Sequence, residues 1–228
     1  MHLREGGCHG HRTRAVTAPS GRTALVAGAT GLVGSEILRQ LAADQDYTGV
    51  RALVRRVPTG LPARVTPVMA DFERLEQVAA TLGADHVFCA LGTTIRTAGS
   101  QEAFRRVDYD YVVALARLAR DLGAGHFLLV SSLGADRRSR IFYSRVKGEV
   151  ETAVQALGYP SLTIVRPSLL LGNRAEFRLG EVLAKPLGPL MPRRYRPVHV
   201  RAVAATLIRA AHEGRPGVRI IESRDITD

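Results

Sequence analysis

Tyr143 and Lys147 are the residues whose types and spacing could carry out a reaction. They lie four positions apart in a segment, residues 143–157, whose apolar residues have helical spacing. Residues four apart on a helix share one face, so the phenol and the ammonium are expected side by side. A neighbouring ammonium favours the ionised phenol and suits it to proton transfer. The alternative is a half-buried tyrosine and a solvated lysine.

Ser131 and Ser132 stand at the end of a strand-like apolar run that begins at His126. Open parallel sheets bind their ligands at the carboxyl ends of the strands. A serine there can donate a hydrogen bond to a substrate carbonyl oxygen, and Tyr143 could then exchange a proton with the same oxygen. The alternative is that both hydroxyls satisfy backbone groups at a strand end.

Three glycines, Gly28, Gly31 and Gly34, join the first apolar run to the first helical segment. A tight turn needs a residue without a Cβ, and a pyrophosphate needs close approach of the backbone. The N-terminus of the following helix presents free N–H groups and the positive end of its dipole to phosphates. The sequence therefore predicts a dinucleotide site formed by Gly28, Thr30, Gly31, Leu32, Val33 and Gly34. The alternative is an ordinary glycine-rich turn.

Arg55 and Arg56 stand where an NAD site commonly has an acidic residue for the ribose hydroxyl, about 20 residues after the glycines. Guanidinium groups bind a phosphate through paired donors, whereas a carboxylate would repel it. This favours NADP(H) over NAD(H), unless both arginines simply face solvent. Asp71 is placed to accept a hydrogen bond from the adenine amino group, with Phe72 near the ring. Asp71 could also cap the helix that follows.

Strand-like and helix-like segments alternate from Thr23 onward. Predicted strands are residues 23–27, 50–55, 65–69, 86–91, 126–131, 162–166 and 218–222, and predicted helices are residues 32–43, 72–82, 101–122, 143–157 and 200–212. The strands are nearly all apolar, as a sheet that is buried on both faces requires. The sequence therefore predicts an α/β fold, a doubly wound parallel sheet that is Rossmann-like, with a small C-terminal substrate lobe at about residues 168–200.

The composition of the 228 residues is that of a globular protein. Apolar residues make up 46% and charged residues 23%, which argues against a disordered or collagen-like chain. No apolar run approaches the roughly 18 residues of a membrane span, and the N-terminus lacks the apolar run of a secretory signal. Two cysteines, Cys8 and Cys89, are too few for a disulfide framework or a cysteine-based zinc site. We therefore expect a cytoplasmic protein with no membrane span.

The net charge of +11 would attract phosphates, free nucleotides included. The arginines are scattered in ones and twos rather than packed into one stripe, so a nucleic-acid partner is not favoured. Residues 1–22 have no apolar period and are predicted to form a disordered leader. Its histidines belong to that tail, and no metal site is predicted. Residues 23–228 are predicted to form a single NAD(P)-binding domain.

The chain resembles the short-chain dehydrogenases/reductases of the atypical or extended type over about residues 23–222. The resemblance is carried by the glycine turn at residues 28–34, Ala90-Leu91-Gly92, Val130-Ser131-Ser132, Tyr143-Ser-Arg-Val-Lys147 and Arg166-Pro167-Ser168. More narrowly, Val107-Asp-Tyr-Asp-Tyr-Val and Ser131-Ser-Leu-Gly-Ala-Asp are similar to Tat-interacting-protein-like oxidoreductases and their bacterial relatives. Many of these relatives are labelled nucleoside-diphosphate-sugar epimerases.

The resemblance implies a role for individual residues. Tyr143 would be the general acid/base, Lys147 its partner and a ribose ligand, and Ser132 the donor to the substrate oxyanion. Further cofactor contacts are implied for Ala90, Leu91, Gly92, Ser131, Pro167 and Ser168, the last two near the nicotinamide carboxamide. The chain departs from the family where Asp108 stands near the place of a common asparagine. It also has just 10 residues between Ser132 and Tyr143, fewer than most sugar-nucleotide epimerases.

Three functions are compatible with these residues. The first is an NADP(H)-dependent oxidoreductase that moves hydride to or from a carbonyl or alcohol carbon of a small substrate. The second is an NADP(H)-sensing regulatory or protein-interaction module with little turnover. The third is a nucleoside-diphosphate-sugar epimerase or dehydratase. An anionic substrate is favoured by five arginines of the predicted substrate pocket: Arg96, Arg174, Arg178, Arg193 and Arg194.

Overall fold

The computed structural model describes residues 21–172 and 192–227. The strands within them are β1 Arg22–Ala27, β2 Tyr47–Val54, β3 Val65–Met69, β4 His86–Cys89, β5 His126–Val130, β6 Ser161–Arg166, β7 Leu170–Leu171, β8 Val198–His199 and β9 Gly217–Glu222. The helices are α1 Leu32–Ala43, α2 Ile95–Ala98, α3 Gln101–Arg105, α4 Tyr111–Asp121, α5 Phe142–Gln155 and α6 Val200–Glu213. A 3-10 helix spans Leu75–Thr81, and a π turn spans Arg106–Asp110.

Seven strands form one sheet in the order β3-β2-β1-β4-β5-β6-β9, and every neighbouring pair is parallel. The chain winds outward from β1 to β3 and then outward in the other direction from β4 to β9. The strand order therefore reverses between β1 and β4. Doubly wound sheets bind their ligands at this reversal, beyond the carboxyl ends of the strands. The predicted α/β fold class is confirmed.

Helices cover both faces of the sheet. α1 and α6 pack on one face, where Ile37 and Leu207 join Val26 of the central strand. α4 and α5 pack on the other face, where Leu115 joins Leu25. Adjacent strand residues such as Leu25 and Val26 point to opposite faces, and both are fully buried. This double burial explains why the strands are continuous apolar runs rather than alternating ones.

Two predicted helices differ from the observed elements. The predicted helix at residues 72–82 is a 3-10 helix that begins at Leu75, because Asp71 holds the preceding residues in a turn: its carbonyl accepts from the N–H of Arg74 and its carboxylate from the N–H of Glu73. The predicted helix at residues 101–122 is interrupted by the π turn, which carries Asp108 into the protein interior.

The predicted leader ends too late. Arg22 opens β1, because its N–H donates to the carbonyl of Asp46 at 3.0 Å and it pairs with Tyr47. Residues 1–20 lie outside the described residues. Residues 173–191 of the predicted substrate lobe also lie outside the described residues. The described part of that lobe includes a short parallel pair of strands, β7 and β8. In the described parts of the chain, no helix is long and apolar enough to cross a membrane.

Candidate active site

The glycine turn between β1 and α1 is packed without room for side chains. Gly28 has a φ of +81°, and a Cβ there would lie 2.2 Å from the carbonyl oxygen of Ala90 at the end of β4. A Cβ on Gly34 would lie 2.1 Å from the carbonyl oxygen of Gly28. The N–H of Gly31 donates to that same oxygen at 2.9 Å. Glycine is therefore required here by backbone packing, and the turn leaves its outer side open to a ligand.

A cleft of about 870 Å³ opens beside this turn at the strand reversal. Its volume is in the range of small-molecule and cofactor pockets. Of the residues predicted to contact the cofactor, the cleft is lined by Gly28, Thr30, Gly31, Arg55, Arg56, Phe72, Ala90, Leu91 and Gly92. The glycine turn, the ends of β2 and β4 and the paired arginines are thus brought to one site.

Other predicted cofactor residues lie behind the cleft or beside it. Val33 and Gly34 are buried in α1, where they hold the helix against the sheet, and Leu32 is partly buried against the same core. The Asp71 carboxylate accepts from the N–H of Glu73 at 3.0 Å and lies 3.7 Å from Arg74. The described geometry therefore gives Asp71 a turn-capping role.

One face of the helical stretch at residues 101–121 also lines the cleft, and sequence reasoning missed it. Ala103, Val107 and Tyr111 follow one another at intervals of four residues and all face the cleft. The Tyr111 ring stacks on Phe72 with ring centres 5.6 Å apart. The interval of four was visible in the sequence, but it indicates a helix face without indicating what that face contacts.

Lys147 and Asp108 form a buried ion pair. Nζ of Lys147 is 2.8 Å from Oδ1 of Asp108, and their side chains are 7% and 0% exposed. Oδ2 of Asp108 accepts a hydrogen bond from the N–H of Thr93 at 2.8 Å. A Cβ on Gly92 would lie 3.6 Å from Nζ of Lys147. Because Gly92 also lines the cleft, the ion pair lies directly behind the cleft wall.

Burial and charge compete in this pair. Burial raises the pKa of Asp108, and the attraction of Lys147 reduces that rise without cancelling it. Burial disfavours the ammonium of Lys147, but the attraction and hydrogen bond of the Asp108 carboxylate, with smaller contributions from its other neighbours, outweigh it and raise the pKa of Lys147. Lys147 is therefore a cation at neutral pH.

The hydroxyl of Ser132 is buried, and no described residue forms a hydrogen bond with it. Most buried hydroxyls are paired, because an unpaired one loses its bonds to water without replacement. Ser132 follows β5, which is paired with β4. An unsatisfied hydroxyl at the carboxyl edge of the sheet is available to a ligand.

The hydroxyl of Ser131 is engaged within the protein. It donates to Oε1 of Glu151, which lies on α5 one turn beyond Lys147. Glu151 also accepts two bonds from Arg166, at 3.0 and 2.6 Å, and Arg166 reaches Glu222 at 2.9 Å. Ser131 was predicted to contact the cofactor, but its hydroxyl belongs to a network that ties α5 to β6 and β9.

Tyr143 lies in the first turn of α5, one turn before Lys147, and is partly buried. Its ring centre is 5.5 Å from that of Phe104. Ser132, Tyr143 and Lys147 are not among the described residues that line the cleft itself. Gly92 lies between the cleft and Lys147, because it lines the cleft and a Cβ on it would stand 3.6 Å from Nζ of Lys147.

Pro167 and Ser168 lie at the carboxyl end of β6. The carbonyl of Pro167 accepts from the N–H of Leu133 at 2.8 Å, which joins this end to the loop after β5. The Ser168 hydroxyl donates to the carbonyl of Arg196, and its N–H donates to the Ser223 hydroxyl at 3.1 Å. Of the five predicted substrate arginines, Arg96, Arg193 and Arg194 are exposed, whereas residues 174 and 178 lie outside the described residues.

Asp44, Asp46 and His212 bring potential metal ligands within 4.8 Å of one another, away from the cleft. His212 is hydrogen-bonded to Asp44 at 2.7 Å, and the guanidinium of Arg22 lies 3.2 Å from its other ring nitrogen. The Arg22 cation already supplies positive charge to this group. The cluster is therefore explained as a link between α6 and the end of α1.

The glycine turn, the strand reversal and the cleft together define the class of proteins that bind a dinucleotide on a doubly wound sheet. A family model described as NAD(P)H-binding matches residues 28–213. The chain belongs to this NAD(P)H-binding family. The match agrees with the resemblance of its motifs to atypical short-chain dehydrogenases/reductases.

Two curated proteins illustrate the similarity. Protein HTATIP2 of Rattus norvegicus is 40% identical over 168 residues, which cover 72% of this chain and 69% of that protein. The mitochondrial protein FMP52 of Eremothecium gossypii is 36% identical over 214 residues, which cover 89% of this chain and 95% of that protein. The predicted similarity to Tat-interacting-protein-like proteins is confirmed.

Solved structures share the fold. A UDP-glucose 4-epimerase of Thermotoga maritima, solved with UDP-glucose, has a TM-score of 0.69 at 16% identity and covers 88% of this chain and 76% of its own. The enzyme WbmH of Bordetella bronchiseptica, solved with NAD+, has a TM-score of 0.69 at 15% identity. The match covers 89% of this chain and 76% of the WbmH chain. At these identities the likeness concerns the fold alone.

Proposed function

We propose that the protein is an NADP(H)-dependent oxidoreductase of the short-chain dehydrogenase/reductase type, acting on a carbonyl or alcohol group of a small substrate. The observation that carries this proposal is the position of Gly92. It lines the cleft that begins at the glycine turn, and it lies beside the Lys147 side chain, since a Cβ on Gly92 would stand 3.6 Å from Nζ. This neighbourhood supports a reaction site in which Lys147, with Tyr143 one turn away on α5 and Ser132, would act beside the dinucleotide site.

The residues present fit a dinucleotide. Gly28, Thr30 and Gly31 would hold the pyrophosphate, because the turn exposes backbone without side chains and α1 begins beside it. Phe72 would pack near the adenine. Ala90, Leu91 and Gly92 would follow the cofactor toward the catalytic group, where Lys147 would hold ribose hydroxyls. Ser131, Pro167 and Ser168 would surround the nicotinamide end through their backbone.

The preference for NADP(H) is supported by Arg55 and Arg56. Both side chains are exposed and both line the cleft at the end of β2. A 2′-phosphate placed there would meet two guanidinium groups, whereas the 2′-hydroxyl of NAD(H) would gain far less from them. Their exposure limits the strength of each contact, so the pair is expected to act jointly.

The mechanism assigns one step to each polar group. A bound nicotinamide cofactor would supply or accept the hydride. Tyr143 exchanges the proton with the substrate oxygen, Ser132 donates a hydrogen bond to that oxygen, and Lys147 is a cation one helical turn from Tyr143. In reduction the carbonyl carbon gains the hydride and the oxygen gains the proton, so the product is an alcohol and the cofactor is oxidised.

The substrate is proposed to be a small molecule with an anionic group, in keeping with the exposed arginines Arg96, Arg193 and Arg194. The catalytic unit is proposed to be a single domain that begins at β1, residues 22–228, with residues 168–200 facing the substrate. The cytoplasmic location predicted from sequence stays a prediction, since the fungal relatives are named as mitochondrial proteins.

The decisive experiment combines cofactor binding with turnover. Calorimetry should detect NADPH binding, and a panel of carbonyl compounds, carboxylated and phosphorylated ones included, should contain one that consumes NADPH. Tyr143→Phe should lower that turnover by at least about 10²-fold while NADPH affinity changes little. Tyr109→Phe, a partly buried tyrosine on the π turn, is the matched control and should keep full turnover.

The other two functions give different results in the same experiment. An NADP(H) sensor would bind NADPH, fail on every substrate and keep its cellular effect in the Tyr143→Phe variant. An epimerase would retain its cofactor through dilution and convert a sugar nucleotide with no net oxidation or reduction. Absence of NADPH binding would reject the oxidoreductase proposal outright.

A further inference from the structure

Asp108 is paired with Lys147, which lies one helical turn beyond Tyr143 on α5. Its carboxylate is fully buried, lies 2.8 Å from Nζ of Lys147 and is held in place by the N–H of Thr93. The π turn at residues 106–110 packs against α5, the helix that carries both Lys147 and Tyr143. Single π turns inside helices are common at functional sites. This one places the Asp108 side chain beside Lys147.

Three titratable groups in the described part of the chain influence the charge of Lys147. Asp108 comes from the π turn, Tyr143 from α5 and Cys89 from the end of β4. Burial raises the pKa of the Cys89 thiol to about 12, so it is neutral at neutral pH. The Asp108 carboxylate is therefore the group that opposes the charge of Lys147 under ordinary conditions.

An ammonium alone and an ion pair have different effects on a nearby phenol. A single positive charge attracts the phenolate and promotes loss of its proton. A carboxylate at 2.8 Å turns that charge into a dipole, whose field falls off faster with distance and whose negative end repels the phenolate. The pair should therefore promote ionisation of Tyr143 much less than Lys147 would alone.

We propose that Asp108 is a positioning residue that offsets the charge of Lys147 and so weakens the effect of that charge on Tyr143, the proton donor in carbonyl reduction. This inference rests on the proposed function and adds that the reaction runs in the direction of carbonyl reduction. In the step, the O–H bond of Tyr143 breaks, the proton bonds to the carbonyl oxygen, and the phenolate later regains a proton from water. The hydride that completes the reduction comes from NADPH, which is oxidised.

The test is a spectroscopic titration of Tyr143 in the ligand-free protein. The chain has six tyrosines and no tryptophan, so tyrosinate absorbance is measured without indole interference. Subtracting the Tyr143→Phe counterpart of each variant isolates the contribution of Tyr143. Asp108→Asn keeps an oxygen that can accept from Thr93 but removes the charge. It should move the Tyr143 transition toward lower pH by about one unit, because the phenolate becomes the available counter-charge for a buried ammonium.

Two further variants make the result specific. Asp110→Asn removes the same charge from an exposed position on the same π turn and should leave the transition in place. Asp108→Asn combined with Lys147→Met removes both charges and should return the transition close to that of the native protein. A purely structural role for Asp108 would produce no such reversal.

Two results would overturn the inference. One is an unchanged or upward-shifted Tyr143 transition in Asp108→Asn, and the other is a double variant that shifts as far as the single one. If Asp108→Asn fails to fold, its combination with Lys147→Met provides the test. A Tyr143 transition far from that of the native protein in this double variant contradicts the proposal. The titration needs neither cofactor nor substrate, so its failure is distinguishable from a failure of NADPH binding.

Discussion

Gly34 of α1 lies directly against the carbonyl of Gly28, so that a Cβ on Gly34 would stand 2.1 Å from that oxygen. Gly28 in turn is pressed against the backbone of Ala90 in the neighbouring strand. These contacts place the first turn of α1 in direct backbone contact with the glycine turn at the strand reversal. The position of the glycine turn therefore depends on Gly34, which is itself buried.

Gly34→Ala should impair both folding and cofactor binding. Because the contacted atom is backbone rather than a flexible side chain, the added methyl group must displace α1, which should lower the free energy of unfolding by about 1–3 kcal/mol. NADPH affinity should fall at least tenfold as the turn opens. Urea denaturation and calorimetry measure the two effects. Gly83→Ala, where a Cβ would meet no atom within 4 Å, is the control. Equal stability of the two variants would contradict this explanation.

Replacing Arg55 and Arg56 together by alanine should change cofactor preference. NADPH affinity should fall about tenfold or more, because two phosphate contacts are lost, while NADH affinity should change little. Dissociation constants for both cofactors in both proteins provide the measurement. Arg117→Ala, at an exposed arginine on α4 that does not line the cleft, controls for the lost positive charge. A parallel loss of NADH affinity would mean that the arginines do not read the 2′-phosphate.

Much of the architecture could be predicted because it depends on local periodicity. Helix Leu32–Ala43 and strand Val65–Met69 have the predicted bounds. The π turn could not be predicted, because Asp108 is stabilised there by Lys147 and Thr93, which are distant in sequence. A helical pattern cannot reveal an ion pair with another helix.

The hydrogen-bond partners of the two adjacent serines are a second feature that the sequence could not predict. Which of them would be free for a ligand depends on Glu151, which lies 20 residues further along the chain and accepts from Ser131. Glu151 and Lys147 are one turn apart on α5, and this face of the helix is buried. The position of both serines after a strand therefore predicted where they lie in the fold. Identifying the partner of each hydroxyl required the tertiary structure.

Ser131→Ala and Ser132→Ala should have opposite effects. Loss of the Ser131 hydroxyl removes a buried bond to Glu151 and should lower the free energy of unfolding by about 1–2 kcal/mol, with turnover largely kept. Loss of the Ser132 hydroxyl removes an unpaired group, so stability should hold, while turnover should fall about 10²-fold if it binds the substrate oxygen. Each variant serves as the control for the other. Equal losses of turnover in both would reject the separate roles.

Two buried histidines lie at the opposite edge of the sheet, where the strands begin. Nδ1 of His86 is 2.7 Å from the hydroxyl of Tyr47, and Nε2 of His126 is 3.0 Å from the hydroxyl of Thr163. The two imidazole rings meet edge to face with centres 5.7 Å apart. A proton on either ring would add a charge to an environment with little water. Burial accordingly lowers the pKa of His86 and the pKa of His126 to about 4 each.

These shifts predict that acid destabilises the fold before the carboxylates are protonated. In the unfolded chain the imidazoles take up protons below about pH 6.5, whereas in the folded protein they do so near a pKa of about 4. The free energy of unfolding should therefore fall as pH drops from about 6.5 toward 4, by on the order of 1–2 kcal/mol for each histidine. Urea denaturation at a series of pH values should find a smaller decline in His126→Leu than in the native protein. His199→Ser keeps a helix-capping group at an exposed position and should retain the native decline. If His126→Leu and the native protein lose stability in parallel across this range, the buried imidazoles are not its cause.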